Sequence, residues 1–305
     1  MNDTDPKEAR NWSGPLKHLA EDERRSLIDS MSAASKPPVA LAEALRNGWF
    51  EVWYQPKIDL KRKRLAGAEA LARIRHPQLG ILLPDNFLPG ADQGSLAELA
   101  QQALLATLFD WTTFEEAGFN LHLAINVPVD VLFKLAITRL VVQYRPNSSR
   151  WPGLILEVTE DQIARDVALA NEIATQLRVS GISVAIDAFG AGYSSMRCLR
   201  ELPFAELKID RSFVMGCATD AAKAAICQTA IDLAHRFGGV AVAAGVESAA
   251  DLQALIVMGC DFGQGVLIAP PMPKARFVEL LRERKSKPPV PAGKHSAKNS
   301  VGRVA

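Results

Sequence analysis

Four residues with hard oxygen donors stand at or near the ends of apolar runs: Glu69, Asn126, Glu157 and Asp187. Glu157 follows Leu154-Ile155-Leu156, Asp187 follows Val184-Ala185-Ile186, and Asn126 closes Leu121–Ile125. Glu69 follows a short apolar run. Carboxylate and amide oxygens suit Mg²⁺ or Mn²⁺ rather than zinc or copper. Any one such carboxylate could equally cap a helix or join a structural ion pair. Asp187 reads differently, because the glycine-containing stretch FGAGYSS follows, and glycine lets a backbone come close to a ligand. Lys208, inside Leu207–Ile209, adds a cation to the set.

These residues need elements that bring them to one place. Strand-like runs cover Glu51–Tyr54, His122–Asn126, Leu154–Val158, Ser183–Asp187, Glu206–Ile209 and Val240–Ala243. Helix-period stretches alternate with them: Ser95–Ala117, Gln162–Val179, Ala221–Phe237, Ala249–Met258 and Lys274–Arg284. Alternation of this kind implies right-handed crossovers and a parallel sheet. The predicted fold class is α/β, a closed (β/α)₈ barrel of the TIM type, whose C-terminal strand ends would carry the acids. A doubly wound open sheet is the competitor, and no GxGxxG follows the first strand to favour it.

Composition narrows the function. The chain has 305 residues, 48% hydrophobic, with 35 basic against 34 acidic side chains. That near balance gives no reason to expect a nucleic-acid-coating protein. Cys198, Cys217, Cys227 and Cys260 form no CxxC pair and have no histidine at metal spacing, so reduced, buried thiols are expected. The scattered histidines make no metal cluster, and there is no Walker A motif. No apolar run is long enough for a membrane helix. A cytoplasmic protein follows, with any membrane link made through a partner. Residues 1–36 are polar and end at Lys36-Pro37-Pro38, a natural break. Residues 37–281 form the barrel domain. Residues 282–305 carry seven basic residues against one acidic and read as a disordered tail.

In order along the chain stand WYQP from Trp53, GAEALARIRHP around Glu69-Ala70-Leu71, PDNF from Pro84, INVP around Asn126 and LEVTE from Leu156. DAFGAGYSS from Asp187, LKIDRSFV from Leu207, AAGVES from Ala243 and CDFGQG from Cys260 complete the series. From about Leu41 to Pro273 the sequence thereby resembles the EAL domain family, the cyclic di-GMP phosphodiesterases and their catalytically degenerate relatives. The resemblance implies that Glu69, Asn126, Glu157 and Asp187 are ligands of a first metal. It implies that Lys208 and Gln264 act at the attacking water, with Glu69 counted among the catalytic residues. Glu160 would anchor the loop after the sixth strand. Gln55, Glu69, Leu71, Arg73 and Asp210 would contact the nucleotide, with Arg73 on phosphate, a task its planar fork suits.

Two positions depart from the family pattern. Active members carry DDFG where this chain has Asp187-Ala188-Phe189-Gly190, and AEGVE where it has Ala243-Ala244-Gly245-Val246-Glu247. The missing carboxylates belong to the second metal. The resemblance then implies a degenerate domain that binds cyclic di-GMP with weak or no phosphodiesterase activity, one Mg²⁺ or Mn²⁺ site remaining and a second impaired. Two alternatives stand beside it. One is an active phosphodiesterase giving pGpG, and the other an interaction module that ignores the nucleotide. An unidentified protein partner and a homodimer fit any of them; nucleic acid is not expected.

Overall fold

A computed structural model describes residues 39–132, 136–191 and 196–286. The N-terminal extension, the tail beyond Ser286 and the Gly192-Tyr193-Ser194-Ser195 part of the glycine-containing stretch lie outside the described residues.

Ten strands form one sheet that closes on itself. Strands β1 (Phe50–Asp59) and β2 (Arg64–His76) pair as a long antiparallel hairpin, extended by β3 (Gly80–Leu82). The chain then adds β4 (His122–Asn126), β5 (Leu154–Thr159), β6 (Ile182–Phe189), β7 (Glu206–Ile209), β8 (Val240–Ala243) and β9 (Phe262–Gly263). From β2 through β4 to β9 every neighbour is parallel. Strand β1 closes the ring by pairing with both β2 and β9, and β10 (Met272–Pro273) lies against its outer part. The result is an eight-stranded (β/α) barrel with one exception to the predicted parallel order. Strand β1 runs antiparallel to both barrel neighbours. The short turn after Asp59 forces this, because a parallel pair needs a crossover of a dozen or more residues.

Helices cover the outside: α1 (Leu41–Arg46), α2 (Gln93–Glu116), α3 (Val129–Leu132), α4 (Ile137–Tyr144), α5 (Glu160–Arg165) and α6 (Val167–Val179). They continue with α7 (Met196–Glu201), α8 (Arg211–Val214), α9 (Ala221–Arg236), α10 (Ala249–Val257) and α11 (Lys274–Ser286). Acidic or hydroxyl side chains start several of them: Asp92, Asp166, Asp220 and Ser248 each accept a backbone N–H of the first turn. Asp166 also explains why the single helix predicted for Gln162–Val179 is two. Its side chain caps α6 by accepting from Leu169 N, and its own backbone leaves the helical region, ending α5. None of the helices among the described residues is long and apolar enough to cross a membrane.

The main core lies between barrel and helices. Tyr54 on β1 packs against Phe114 of α2 and Phe277 of α11, with ring centroids 5.0 and 5.6 Å away. Inside the barrel the packing is sparser. Ala124, Ile155 and Ala185, on adjacent strands, form a small separate cluster. Because side chains alternate across a strand, the next inward positions are two residues further on. Those positions hold Asn126, Glu157 and Asp187.

Candidate functional site

The strand period delivers the oxygen donors to the C-terminal mouth of the barrel. Glu69 does not end a strand, contrary to the sequence reading, but sits in the middle of the thirteen-residue β2. Its register partners are Gln55 on β1 and Ala124 on β4, so it faces the same interior. Asn126 and Glu157 are paired across β4 and β5.

Lys208 is the hub. Its buried ammonium contacts Glu69 Oε2 at 3.1 Å and Asp187 Oδ1 at 3.2 Å, and it hydrogen-bonds Glu157 Oε2. Asn126 Nδ2 donates to Glu69 Oε1 at 2.6 Å. Gln264 Nε2 donates to Glu69 Oε2 at 2.6 Å and to Gln55 Oε1 at 2.9 Å. Gln55 Nε2 in turn donates to the Ala269 carbonyl at 3.2 Å. The structure thus brings Gln55, Glu69, Asn126, Glu157, Asp187, Lys208 and Gln264 into one connected network.

The network is short of positive charge. Three carboxylates share one ammonium. Burial alone would raise the Glu69 carboxyl, but Lys208 and the hydrogen bonds from Asn126 and Gln264 outweigh it and hold it at about 2. Glu157 goes the other way. Burial and the neighbouring Glu69 charge push its carboxyl well up despite Lys208. Burial opposes the Lys208 charge, yet Glu157, Glu69 and Asp187 together raise its pKa well above the ordinary lysine value.

Such a set fits a divalent cation by donor chemistry. A buried glutamate pushed up by a like charge is the group such an ion would relieve. Gln264 Oε1 is buried there without a hydrogen-bond partner. As they stand, the described residues contain no group of three acids, histidines or cysteines spaced to hold an ion. Lys208 stands among the carboxylates, so a cation and the ammonium compete for the same oxygens.

Two further parts flank the mouth. Arg73 on β2 is buried, with Nη1 donating to the Ala72 carbonyl at 2.7 Å. Its Nε has no partner. Burial lowers its pKa to about 10, which leaves it charged at neutral pH. Trp53 lies against it, the guanidinium carbon 5.7 Å from the ring centroid. The antiparallel hairpin pairs Trp53 with Leu71 and places it beside Arg73. Leu71 is half-buried on the same strand.

Glu160, at the start of α5, accepts from Gly190 N at 3.1 Å and so ties α5 to the turn after β6. Asp210 sits two residues beyond Lys208 and caps α8, its carboxylate accepting from Ser212 N at 2.8 Å.

The two departures have distinct geometries. Ala188 lies at a β-bulge, where the β6–β7 register shifts between Ile186 and Phe189. Its φ is +54°, the left-handed region. Asp and Asn tolerate that region far better than Ala does. Ala244 follows β8 and continues the β7 pairing by donating its N–H to the Ile209 carbonyl at 3.2 Å. Its methyl offers no donor or acceptor.

Fold and site define a (β/α)₈ barrel with an acidic, lysine-centred mouth at its C-terminal strand ends. The EAL domain model matches residues 39–271, and the chain belongs to the EAL domain family. It is similar to the cyclic di-GMP phosphodiesterase RocR of Pseudomonas aeruginosa, 36% identical over 263 residues, which are 84% of this chain and 66% of RocR. It is similar to the cyclic di-GMP phosphodiesterase PA2567 of the same organism, 36% identical over 238 residues, 76% of this chain and 40% of that protein. The chain therefore spans less than two thirds of these relatives. Among solved structures, the PaMucR phosphodiesterase in complex with c-di-GMP superposes with a TM-score of 0.71 at 33% identity, covering 78% of this chain and 97% of that one. The EAL domain protein of Listeria monocytogenes superposes with a TM-score of 0.68 at 26% identity, covering 78% and 94%.

Proposed function

We propose that this chain binds cyclic di-GMP at the barrel mouth and hydrolyses it weakly or not at all. The observation that carries the reading is Ala188. Its backbone keeps a conformation suited to the family's second aspartate while its side chain has lost the carboxylate. With Ala244 in place of the family's glutamate, the second of two metals loses its own acids. Two metals activate the water and stabilise both the attacking and the leaving oxygens. Removing one costs several kcal/mol in the transition state, roughly a thousandfold or more in rate.

Binding depends on other groups. Arg73 would supply the charge for a phosphate oxygen, with Trp53 against its guanidinium, and Gln55 and Leu71 would complete the nucleotide contacts. One divalent cation, Mg²⁺ or Mn²⁺, would be held by Glu69, Asn126, Glu157 and Asp187. When bound it would supply charge neutralisation at the phosphate. Lys208 balances part of the carboxylate charge, and Gln264 holds Glu69 in orientation. Glu160 fixes the turn at Gly190.

Calorimetry with cyclic di-GMP, with and without Mg²⁺, tests binding. No heat up to high micromolar ligand would sink it. The double substitution Ala188→Asp with Ala244→Glu tests the lost acids. Production of pGpG should appear or rise sharply, and an unchanged rate would show that the two alanines do not limit turnover.

A second reading, an active phosphodiesterase, is favoured by the convergence of Glu69, Asn126, Glu157 and Asp187 on Lys208. It requires pGpG from the unsubstituted chain, abolished by Glu69→Ala.

A further inference from the structure

The opposite end of the barrel carries a concentration of charge that the site does not use. Strand β2 runs toward the mouth, so its first residue, Arg64, and the whole β1–β2 turn lie at the far end. That turn is Lys61-Arg62-Lys63-Arg64, four consecutive exposed cations. The Lys61 and Arg62 side chains are 64% and 68% exposed. The net charge of the chain is only +1, so this is local patterning, not overall excess.

Asp261 fixes the turn beside the end of α9. It contacts Lys61 Nζ at 3.4 Å and His235 Nε2 at 2.7 Å. The next residues of that helix end are Arg236, exposed, and Phe237, 41% exposed. The end of α10 presents Val257, 77% exposed. Of the acids nearest the turn, Asp59 bonds Arg62 at 2.9 Å and Asp261 serves Lys61 and His235, while exposed Asp232 near the end of α9 accepts from Gln228. Helix α11 descends toward the same end beside α2. Its Lys274 meets Asp110, and one turn later its Phe277 meets Phe114. The sequence that follows, within 282–305, is the most basic stretch of the chain.

We propose that this end of the barrel docks directly on an anionic lipid bilayer, in place of the sequence expectation that any membrane link runs through a partner. Basic side chains near such a surface are each attracted by roughly 1 kcal/mol, so a cluster is needed and a cluster is present. Exposed Phe237 and Val257, at helix ends on the same end of the barrel, add an apolar contribution that a bilayer can accept and a nucleic acid backbone cannot. Docked this way, the chain turns its mouth away from the membrane, toward dissolved nucleotide.

Full-length protein is sedimented with phosphatidylcholine vesicles, with and without phosphatidylglycerol. Binding to the anionic vesicles alone is expected, weakening as salt is raised. The triple substitution Arg62→Gln, Lys63→Asn, Arg64→Gln should lower partitioning on the order of a hundredfold. Val257→Asp should lower it independently, with thermal melts showing that both variants fold. Equal binding to neutral vesicles would overturn the proposal. So would no binding, unchanged binding of both variants, or tighter binding to duplex DNA than to anionic vesicles at the same salt.

Discussion

The barrel buries two lysines on neighbouring layers, and they are partnered in opposite ways. Lys57 on β1 meets Glu206 on β7 across the interior, Nζ lying 2.5 Å from both carboxylate oxygens. Charges match one to one, and both side chains are almost fully enclosed. Gly67 on β2 makes the room. A Cβ there would lie 2.4 Å from the His122 carbonyl and 3.3 Å from Lys57 Cε. Lys208, nearer the mouth, faces three carboxylates and leaves one of them pushed up. The closed pair is complete without any ligand. The open cluster is negative, and its balance depends on a cation, a proton or a ligand group arriving. Matched burial marks structure here, and mismatched burial marks the site.

Breaking the closed pair should have the largest effect. Glu206→Gln leaves Lys57 buried without its counter-charge, a change that costs about 3–5 kcal/mol in comparable settings. Urea unfolding should show that loss, and adding Mg²⁺ should not restore it. A loss below about 1 kcal/mol would mean that water or another group reaches Lys57, and the contrast between the layers would fail.

Lys208→Met should cost less, about 2–3 kcal/mol, because the cluster opens to solvent and its acids can take up protons or a cation. The deficit should shrink in millimolar Mg²⁺ or Mn²⁺, read as a rise in melting temperature that the Glu206→Gln variant lacks. Equal responses of the two variants to the ion would erase the distinction.

Titration sharpens the comparison within the open cluster. The Glu69 carboxyl lies below its unfolded value, at about 2. It therefore contributes stability that is full above about pH 4.5 and is lost as pH falls toward 2, on the order of 3 kcal/mol. Glu157 lies above its unfolded value, so its ionisation costs stability as pH rises past that value. In chelator-treated protein, Glu69→Gln should be destabilising at neutral pH and nearly neutral in strong acid. Glu157→Gln should be neutral or stabilising at pH 7. Matching pH profiles for the two variants would contradict the opposite directions in which the two carboxyls are shifted.

These features were unequally legible in the sequence. Asn126, Glu157 and Asp187 were readable because each stands at or near the end of an apolar run, whereas Glu69 stood out only through the ordered motif around it. Helix limits fell within a few residues, as for α2 and α9, because apolar period and capping acids agree there. The hairpin was not readable. Strand β2 holds Gly67, Glu69, Arg73 and Arg75 among small residues, a pattern without a continuous apolar face, so its thirteen residues look like a short strand and a loop. Missing it also hid the antiparallel entry of β1 and the position of Trp53 over Arg73. Lys57 and Glu206 went unnoticed as a pair: the predicted first strand, Glu51–Tyr54, stops short of Lys57, which lies two residues beyond Gln55 on the longer observed strand, as Glu206 lies two before Lys208. Ala188 was legible as a missing carboxylate, but nothing in its letter announces a positive φ.

That conformation gives the smallest and cleanest test. A left-handed non-glycine residue costs about 1–2 kcal/mol, and glycine removes that cost while adding about 0.5–1 kcal/mol of chain entropy to lose on folding. Ala188→Gly should therefore stabilise the fold by up to about 1 kcal/mol. Ala244→Gly, at a position without positive φ, should be neutral or destabilising. The sign of the difference matters more than its size. If Ala188→Gly destabilises, the bulge is not strained by alanine, and the case that its backbone was shaped for an acidic residue loses its support. If it stabilises and Ala188→Asp does so as well, the site still carries the geometry of the group it has lost.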